Sequence, residues 1–370
     1  MAISKYDILN AMKICGIICE LNPAHNGHKY IFDKAREAGA DKIIAIMSGD
    51  YVQRGEPALF DKHIRTKMAL TLGADVCIEL PGMFATGSAQ YFARGAVSIL
   101  NTLGADSICF GSECGDIDLL SSQEFTTPND VLASEYIKAI KYFKSSITPY
   151  AIKRIGTDYN DSVSTNDNIC SASYIRANSD TMDDSFKAFM PESTYQVYIS
   201  ATKEYHKVSF DDISSQLFYK LNAEMQYGYS QYFDVFDDLS EKIIKNLGAF
   251  TTADEFSHVL KSKDIAFSHI KRALLHILLN ITKEDVESAI SNNYISYIRL
   301  LGFKSASSDI LSEIKKASAT PIISKLADAH NLLDDYGLAM LEKDIANSHL
   351  YSLISSGHII NEYSRQLIIQ

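Results

Sequence analysis

Tryptophan is absent from the 370 residues, and proline occurs only seven times. No apolar run approaches the roughly 18 residues that span a bilayer, so a membrane is not an expected partner. The opening residues, MAISKYDILNAMK, lack a basic stretch followed by an apolar one, and no secretory signal is read there. No C-x-x-C pair occurs among Cys15, Cys19, Cys77, Cys109, Cys114 and Cys170. The paired spacing of a zinc site is missing, and no resident metal is expected. Several of these cysteines fall in apolar runs, where a reduced thiol packs as a small hydrophobe. A reducing, cytoplasmic location fits.

Net positive charge is lacking too. The formal net charge is -11, which argues against general affinity for a polyanion, and DNA is not an expected partner. A local basic face remains compatible with that total. Residues 261–325 carry ten Lys+Arg against six Asp+Glu. For most of these residues a solvated helix face is the simpler reading. Hydrophobic residues make up 46%, ample for a core, and the length predicts two or three domains.

One pattern recurs in the first half. EAGADKIIAI, TLGADVCIEL and TLGADSICFG each hold a glycine, then Ala-Asp, then a short apolar run. Gly39, Gly73 and Gly104 each follow a segment of helical periodicity, at the position where a left-handed residue closes a helix. The runs are apolar on both parities, as in parallel strands covered on both faces. With KICGII as the first strand, the spacing predicts helices over 27–38, 61–72 (N-cap Asp61) and 88–103 (N-cap Ser88), and a fifth strand over 150–155. The expected fold class is α/β: a doubly wound, Rossmann-like parallel-sheet domain over 12–185, then a mainly α-helical domain over 186–370. In the second part KIIKNLG, HIKRALLHILLNIT, YISYIRLLGF and SEIKKAS all read as helical.

The first strand leads into CELNPAHNGHKY. Pro23 ends the strand and biases Asn22 toward an extended backbone. Gly27 permits close backbone approach. His28 then falls in the first turn of a helix, where free N–H groups and the dipole favour an anion. Neither a G-x-x-x-x-G-K-[ST] loop nor a G-x-G-x-x-G turn is present at this exit. Alone, H-x-x-H suits phosphate binding, a metal pair or a purely structural role.

A second motif bears on the choice. H-x-G-H after a first strand resembles the nucleotide-binding motif of the nucleotidyltransferase superfamily, whose later motif is close to I-S-S-T-x-I-R. Residues 170–176, CSASYIR, match it in Ser171, Ser173, Ile175 and Arg176, and Cys170 stands 142 positions after His28. ELNPAHNGH, MSGDYVQRGEPAL, DKHIRTKMAL, GADVCIELP, FARGAVSIL, FGSE, PNDVL, AIKRIG, IRLLGF and TPIISKL together resemble the bacterial tRNA(Met) cytidine acetate ligase family. The resemblance runs from about Met12 past residue 325, with its most specific blocks at the N-terminal end.

The resemblance implies an ATP-dependent ligase. It activates acetate as acetyl-adenylate and passes the acetyl group to N4 of the wobble cytidine of elongator tRNA(Met). ATP is the substrate, with Mg2+ accompanying it. It also implies an ATP-contacting stretch of Ile18, Cys19, Glu20, Leu21, Asn22, Pro23, Ala24, His25, Asn26, Gly27, His28, Lys29, Tyr30 and Ile31. Gly111, Asn129, Arg154, Ile155, Ser171, Ser173 and Arg176 complete the set. Of these, His25, His28 and Arg176 are the expected catalytic residues. The histidines bind phosphates and stabilise departing pyrophosphate, Arg154 and Arg176 pair with phosphate oxygens, and Gly111 lets the backbone approach adenosine.

Other residues are weighed lower. Gln53, Arg54, Gly55 and Glu56 are expected to shape a loop over the site. Lys62, Arg65 and Lys67 are expected on a helix surface, and Arg299 and Lys304 either face RNA or sit on a helix surface. Glu113 and Asp116 are weak candidates for holding magnesium. The chain departs from the family pattern at Ala24 (usually aromatic), Asp50 and Asp130 (usually Asn), and in a shorter run from Gly111 to Asn129. Two rivals share the same motifs: an adenylyltransferase acting on a small phosphate-bearing cofactor precursor, and a non-catalytic ATP-binding protein associated with RNA.

Overall fold

A computed structural model describes residues 12–154, 163–164, 168–179, 184–263 and 265–370. Its centre is a sheet in which β1 (Ile14–Cys19), β2 (Lys42–Ser48), β3 (Val76–Leu80), β4 (Ser107–Ser112) and β5 (Thr148–Lys153) run parallel in the order β3-β2-β1-β4-β5. The strand order reverses between β1 and β4, which is where a doubly wound sheet opens a crevice.

Both faces of the sheet are covered, and residue parity decides which face a side chain joins. Ile14, Ile18, Ile44, Ile46, Val76, Ile78, Ile108 and Phe110 pack with α3 (Ala89–Thr102) and α4 (Pro128–Tyr142). Cys15, Ile17, Cys19, Ile43, Ala45, Met47, Cys77 and Cys109 pack beneath α1 (Asn26–Glu37) and α2 (Lys62–Leu72). Four of the six cysteines therefore sit on this face of the sheet, and Cys170 joins the same apolar layer. This two-sided burial explains why the strands read as continuous apolar runs.

The helix boundaries follow local chemistry. Asp61 caps α2 by accepting the Ile64 N–H at 2.7 Å. Ser88 precedes α3, but its side chain makes no capping hydrogen bond. Gly39, Gly73 and Gly104 adopt φ of +96°, +128° and +71°, the conformations that end the three preceding helices.

Two expectations fail. IRLLGF is not helical: Ile298–Phe303 forms β6, antiparallel to β3. Five of its six residues are buried, and a short apolar run does not distinguish helix from strand by periodicity. The exposed edge of β3 supplies the backbone partners that decide the matter. β7 (Ile322–Ile323) and β8 (Ile368–Ile369) pair with β6 in turn, so the sheet continues into the helix-rich second half.

The second failure concerns charge. Lys62, Arg65 and Arg299 are buried rather than placed on a surface. Lys62 Nζ lies 2.8 Å from Glu79 Oε1 and 2.8 Å from Ser348 Oγ on α7 (Asp335–Ser356). Arg299 bonds Glu362 at 2.6 Å. These pairs join α2, the sheet and the C-terminal segment where a sequence reading sees only separate surface charges. Arg65 donates to the carbonyls of Phe60 (2.9 Å), Glu20 (2.7 Å), Ser48 (3.1 Å) and Gly49. It thereby braces the carboxyl ends of β1 and β2, which form the floor of the site.

Candidate active site

A cavity of about 790 Å³ opens at the reversal point between β1 and β4. Its wall includes Ile18, Cys19, Glu20, Leu21 and Asn22 at the exit of β1, and Gly111 at the end of β4. His28 and Ile31 come from α1, Asn129 from α4, Arg154 from the end of β5, and Arg176 from α5 (Ala172–Ala177).

The remaining expected contacts do not line it, among them the buried His25 together with Asn26 and Gly27 at the start of α1. A helix turns about 100° per residue, so α1 presents His28, Ile31 and Phe32 to the cavity and carries Lys29 and Tyr30 away from it. Lys29 pairs with Asp33, and Tyr30 lies under the Lys34 ammonium. Pro23 and Ala24 are buried beneath the strand exit. Ser171 is the N-cap of α5, accepting the Tyr174 N–H at 3.1 Å, and Ser173 lies 3.3 Å from Arg176 Nη2. Ile155 falls outside the described residues.

The two histidines form one hydrogen-bonded unit. His25 is the N-cap of α1, and its Nδ1 accepts the Gly27 N–H at 3.0 Å. His28 Nδ1 accepts the His25 N–H at 3.2 Å. A ring nitrogen that accepts a backbone N–H carries no proton, so each imidazole holds its proton on Nε2. Burial lowers both basicities: His25 is held well below its ordinary value, and His28 falls to about 3, with the Arg154 guanidinium adding to the effect. Both rings are therefore neutral near pH 7, and each offers an Nε2–H with no partner among the described residues. The ring centroids are 4.0 Å apart. Gly27 makes the arrangement fit, because a Cβ there would lie 2.8 Å from His25 Cε1.

The two motifs meet in space. Arg176 Nη1 donates to the Asn22 carbonyl at 2.7 Å, and Asn26 Nδ2 donates to the carbonyls of Asn168 (2.9 Å) and Ala188 (2.8 Å). NPAHNGH and CSASYIR are thus pinned to each other beside the cavity. Burial lowers the Arg176 pKa, opposed by Glu56 and Glu20. Across the crevice Arg154 is 3.9 Å from Glu113. A Cβ on Gly111 would meet Ile31 Cδ1 at 3.2 Å, so the β4 end packs closely on α1. The Asp130 carboxylate accepts Thr127 Oγ1 (2.8 Å), Ser112 Oγ and the Glu113 N–H (2.9 Å), and so shapes the turn after β4. Asp116 spends its side chain as a helix N-cap.

The HIGH Nucleotidyl Transferase model matches residues 12–124 and 119–366. A tRNA(Met) cytidine acetate ligase of Clostridium perfringens is 34% identical, over 95% of this chain and 97% of its own. The chain belongs to the tRNA(Met) cytidine acetate ligase family. The ligase of that name from Acetivibrio thermocellus is 33% identical, over 92% and 94%. The solved structure of Thermotoga maritima TmcAL in its apo form superposes with a TM-score of 0.89 at 27% identity, covering 97% of this chain and 99% of that one. The same Thermotoga protein bound with alpha-thio ATP gives 0.88 at 26% identity, with the same coverage.

The family fold also brings in residues the sequence left unassigned. Phe267, Ser268 and Lys271 of α6 (Phe267–Leu278) close one wall of the cavity, beside Gln53, Arg54 and Glu56. Lys271 Nζ is 2.7 Å from Glu56 and 2.7 Å from Asp254, tying that loop to the helix. Phe92, Phe110 and Tyr136 add an apolar side. The i, i+4 pair Phe267 and Lys271 shares a helix face, but nothing in HIKRALLHILL distinguishes this face from an ordinary packing stripe.

Proposed function

We propose that the chain is an ATP-dependent ligase that activates acetate as acetyl-adenylate and transfers the acetyl group to N4 of the wobble cytidine of elongator tRNA(Met). The meeting of NPAHNGH with CSASYIR at one cavity, through the Arg176–Asn22 hydrogen bond, carries this reading. The names and coverage of the relatives support it.

Acetate is a poor acyl donor because its leaving group would be an oxide. Attack of an acetate oxygen on the α-phosphorus forms a C–O–P linkage and expels pyrophosphate. In the reading proposed here, the Nε2–H groups of His25 and His28 donate to phosphate oxygens, while Arg154 and Arg176 pair with the charge that grows on the departing group. Neutral imidazoles suit that task, since they donate without first having to lose or gain a proton. The cytidine N4 amine is a weak nucleophile, its lone pair shared with the ring. Transfer to it needs an activated acyl group held close by, with AMP as the leaving group.

Residues 12–185 are assigned the nucleotide chemistry and residues 186–370 the RNA docking. The α6 wall, drawn from the second part, supports contact between the two tasks. Among the described residues no group of three or more His, Cys, Asp or Glu side chains converges on a metal position. Magnesium is expected to arrive with ATP, held on its phosphate oxygens. An enzyme acting on tRNA in this way is expected in the cytoplasm. The test is incubation with ATP, labelled acetate and tRNA(Met), followed by nucleoside mass analysis. N4-acetylcytidine at the wobble position is the expected product. Acetyl-adenylate formation with no modified tRNA would overturn the assigned acceptor.

A further inference from the structure

Glu20 is the first residue beyond β1, at the reversal point of the sheet. Its Oε1 accepts the Gln53 N–H at 2.7 Å. Its Oε2 has no hydrogen-bond partner among the described residues, and Glu20 is one of the residues lining the cavity. One oxygen is thus fixed to the backbone, and the other is left without a protein partner at the cavity wall. Resemblance alone places Glu20 within a nucleotide-contacting stretch, but a carboxylate is a poor neighbour for a triphosphate of the same sign. It suits the other reactant, an exocyclic amine with hydrogens to donate, and a carboxylate is the side chain that accepts from cytosine N4.

We propose that Glu20 receives the proton from the cytidine N4 amine during acetyl transfer, an inference that rests on the ligase reading above. In that step the N4–C bond forms, and the acyl C–O bond to the phosphate breaks. AMP departs with the electron pair, and one N4 proton passes to the free oxygen of Glu20. The charges facing Glu20 come from three elements: Arg176 on α5, Arg65 on α2 and Arg54 on the loop after β2. Burial raises the carboxyl pKa. The Gln53 N–H and these guanidiniums oppose the rise. A buried base of raised basicity, steadied by cations, is matched to taking a proton near neutrality. Tyr136, also on the wall, has its own pKa raised well above the ordinary value, first by burial and then by the Glu20 charge, and it stays protonated.

The test separates the two half-reactions in the full-length enzyme. Acetate-dependent ATP–pyrophosphate exchange reads the first. Single-turnover acetylation of tRNA(Met), started from enzyme holding acetyl-adenylate, reads the second. Glu20→Gln keeps an oxygen for the Gln53 N–H and removes the basicity. The proposal expects the ratio of transfer to exchange to fall by about 10² or more, the scale of general-base catalysis. It also expects the acid limb of the transfer pH profile to vanish, and Glu20→Asp to restore part of the transfer. A merely structural role would lower both half-reactions together and leave the pH profile in place, and that result overturns the proposal. So does a Glu20→Gln enzyme whose transfer matches the wild type. A wild-type enzyme that neither exchanges nor acetylates overturns the underlying ligase reading and the proton role with it.

Discussion

The neutral histidine pair has a thermodynamic signature that can be measured without substrate. His28 titrates at about 3 in the folded protein, against an ordinary 6.5. The folded state therefore binds this proton more weakly than the unfolded chain does. Stability from this group is present in full above pH 6.5 and is lost progressively as pH falls toward 3. Between pH 8 and pH 4.5 the loss from His28 alone is about 2 to 3 kcal/mol, at about 1.4 kcal/mol per pH unit below the unfolded value. His25, also lowered, adds in the same direction. His28→Gln removes the titration but keeps a side-chain oxygen able to accept the His25 N–H, as in an ordinary capping box. Urea unfolding of wild type and variant at both pH values gives the comparison. The variant is expected to lose about 2 to 3 kcal/mol less than the wild type on acidification. Equal acid losses in the two proteins would refute the burial of a neutral His28.

Three further outcomes follow from the same geometry. Gly27→Ala places a Cβ 2.8 Å from the His25 ring, so the ring leaves its cap. Unfolding should register a loss of about 1 kcal/mol, and acetate-dependent exchange should fall with it. Lys62→Met leaves Glu79 and Glu362 buried without their shared ammonium, and denaturant unfolding should show a loss of about 3 to 5 kcal/mol. Arg176→Ala removes both a cation of the cavity and the bond between the two motifs. Acetate-dependent exchange should drop about 10²-fold or more.

What could be read from the sequence was what local chemistry decides. The apolar runs, the Asp61 cap and the glycines after each helix are set by neighbours in the chain, and the parallel sheet follows from their spacing. NPAHNGH and CSASYIR were legible as motifs because each holds its residues within one turn. Their shared place at one ATP was implied by resemblance, but the direct contact of Arg176 with Asn22 was not. The rest depended on partners far away in sequence. IRLLGF became a strand because the β3 edge was open to it. Lys62, Arg65 and Arg299 read as surface charges because their carboxylate and carbonyl partners lie on other elements. The tautomers of His25 and His28 depend on backbone N–H groups that only the folded turn supplies. The α6 wall carried no signal, since Phe267 and Lys271 obey the same spacing as any packed helix face. Ala24 resolves one departure from the family pattern: it is fully buried under the strand exit, away from the cavity wall.

The central claim is that the two neutral imidazoles and Arg176 form the phosphate cradle. A crystal structure of this protein with a non-hydrolysable ATP analogue tests it most directly. The account predicts phosphate oxygens within about 2.7–3.2 Å of Nε2 on both His25 and His28, with the Arg176 guanidinium on the same triphosphate. A triphosphate that bonds neither Nε2, or that meets His28 through Nδ1 with the capping bond broken, would contradict it.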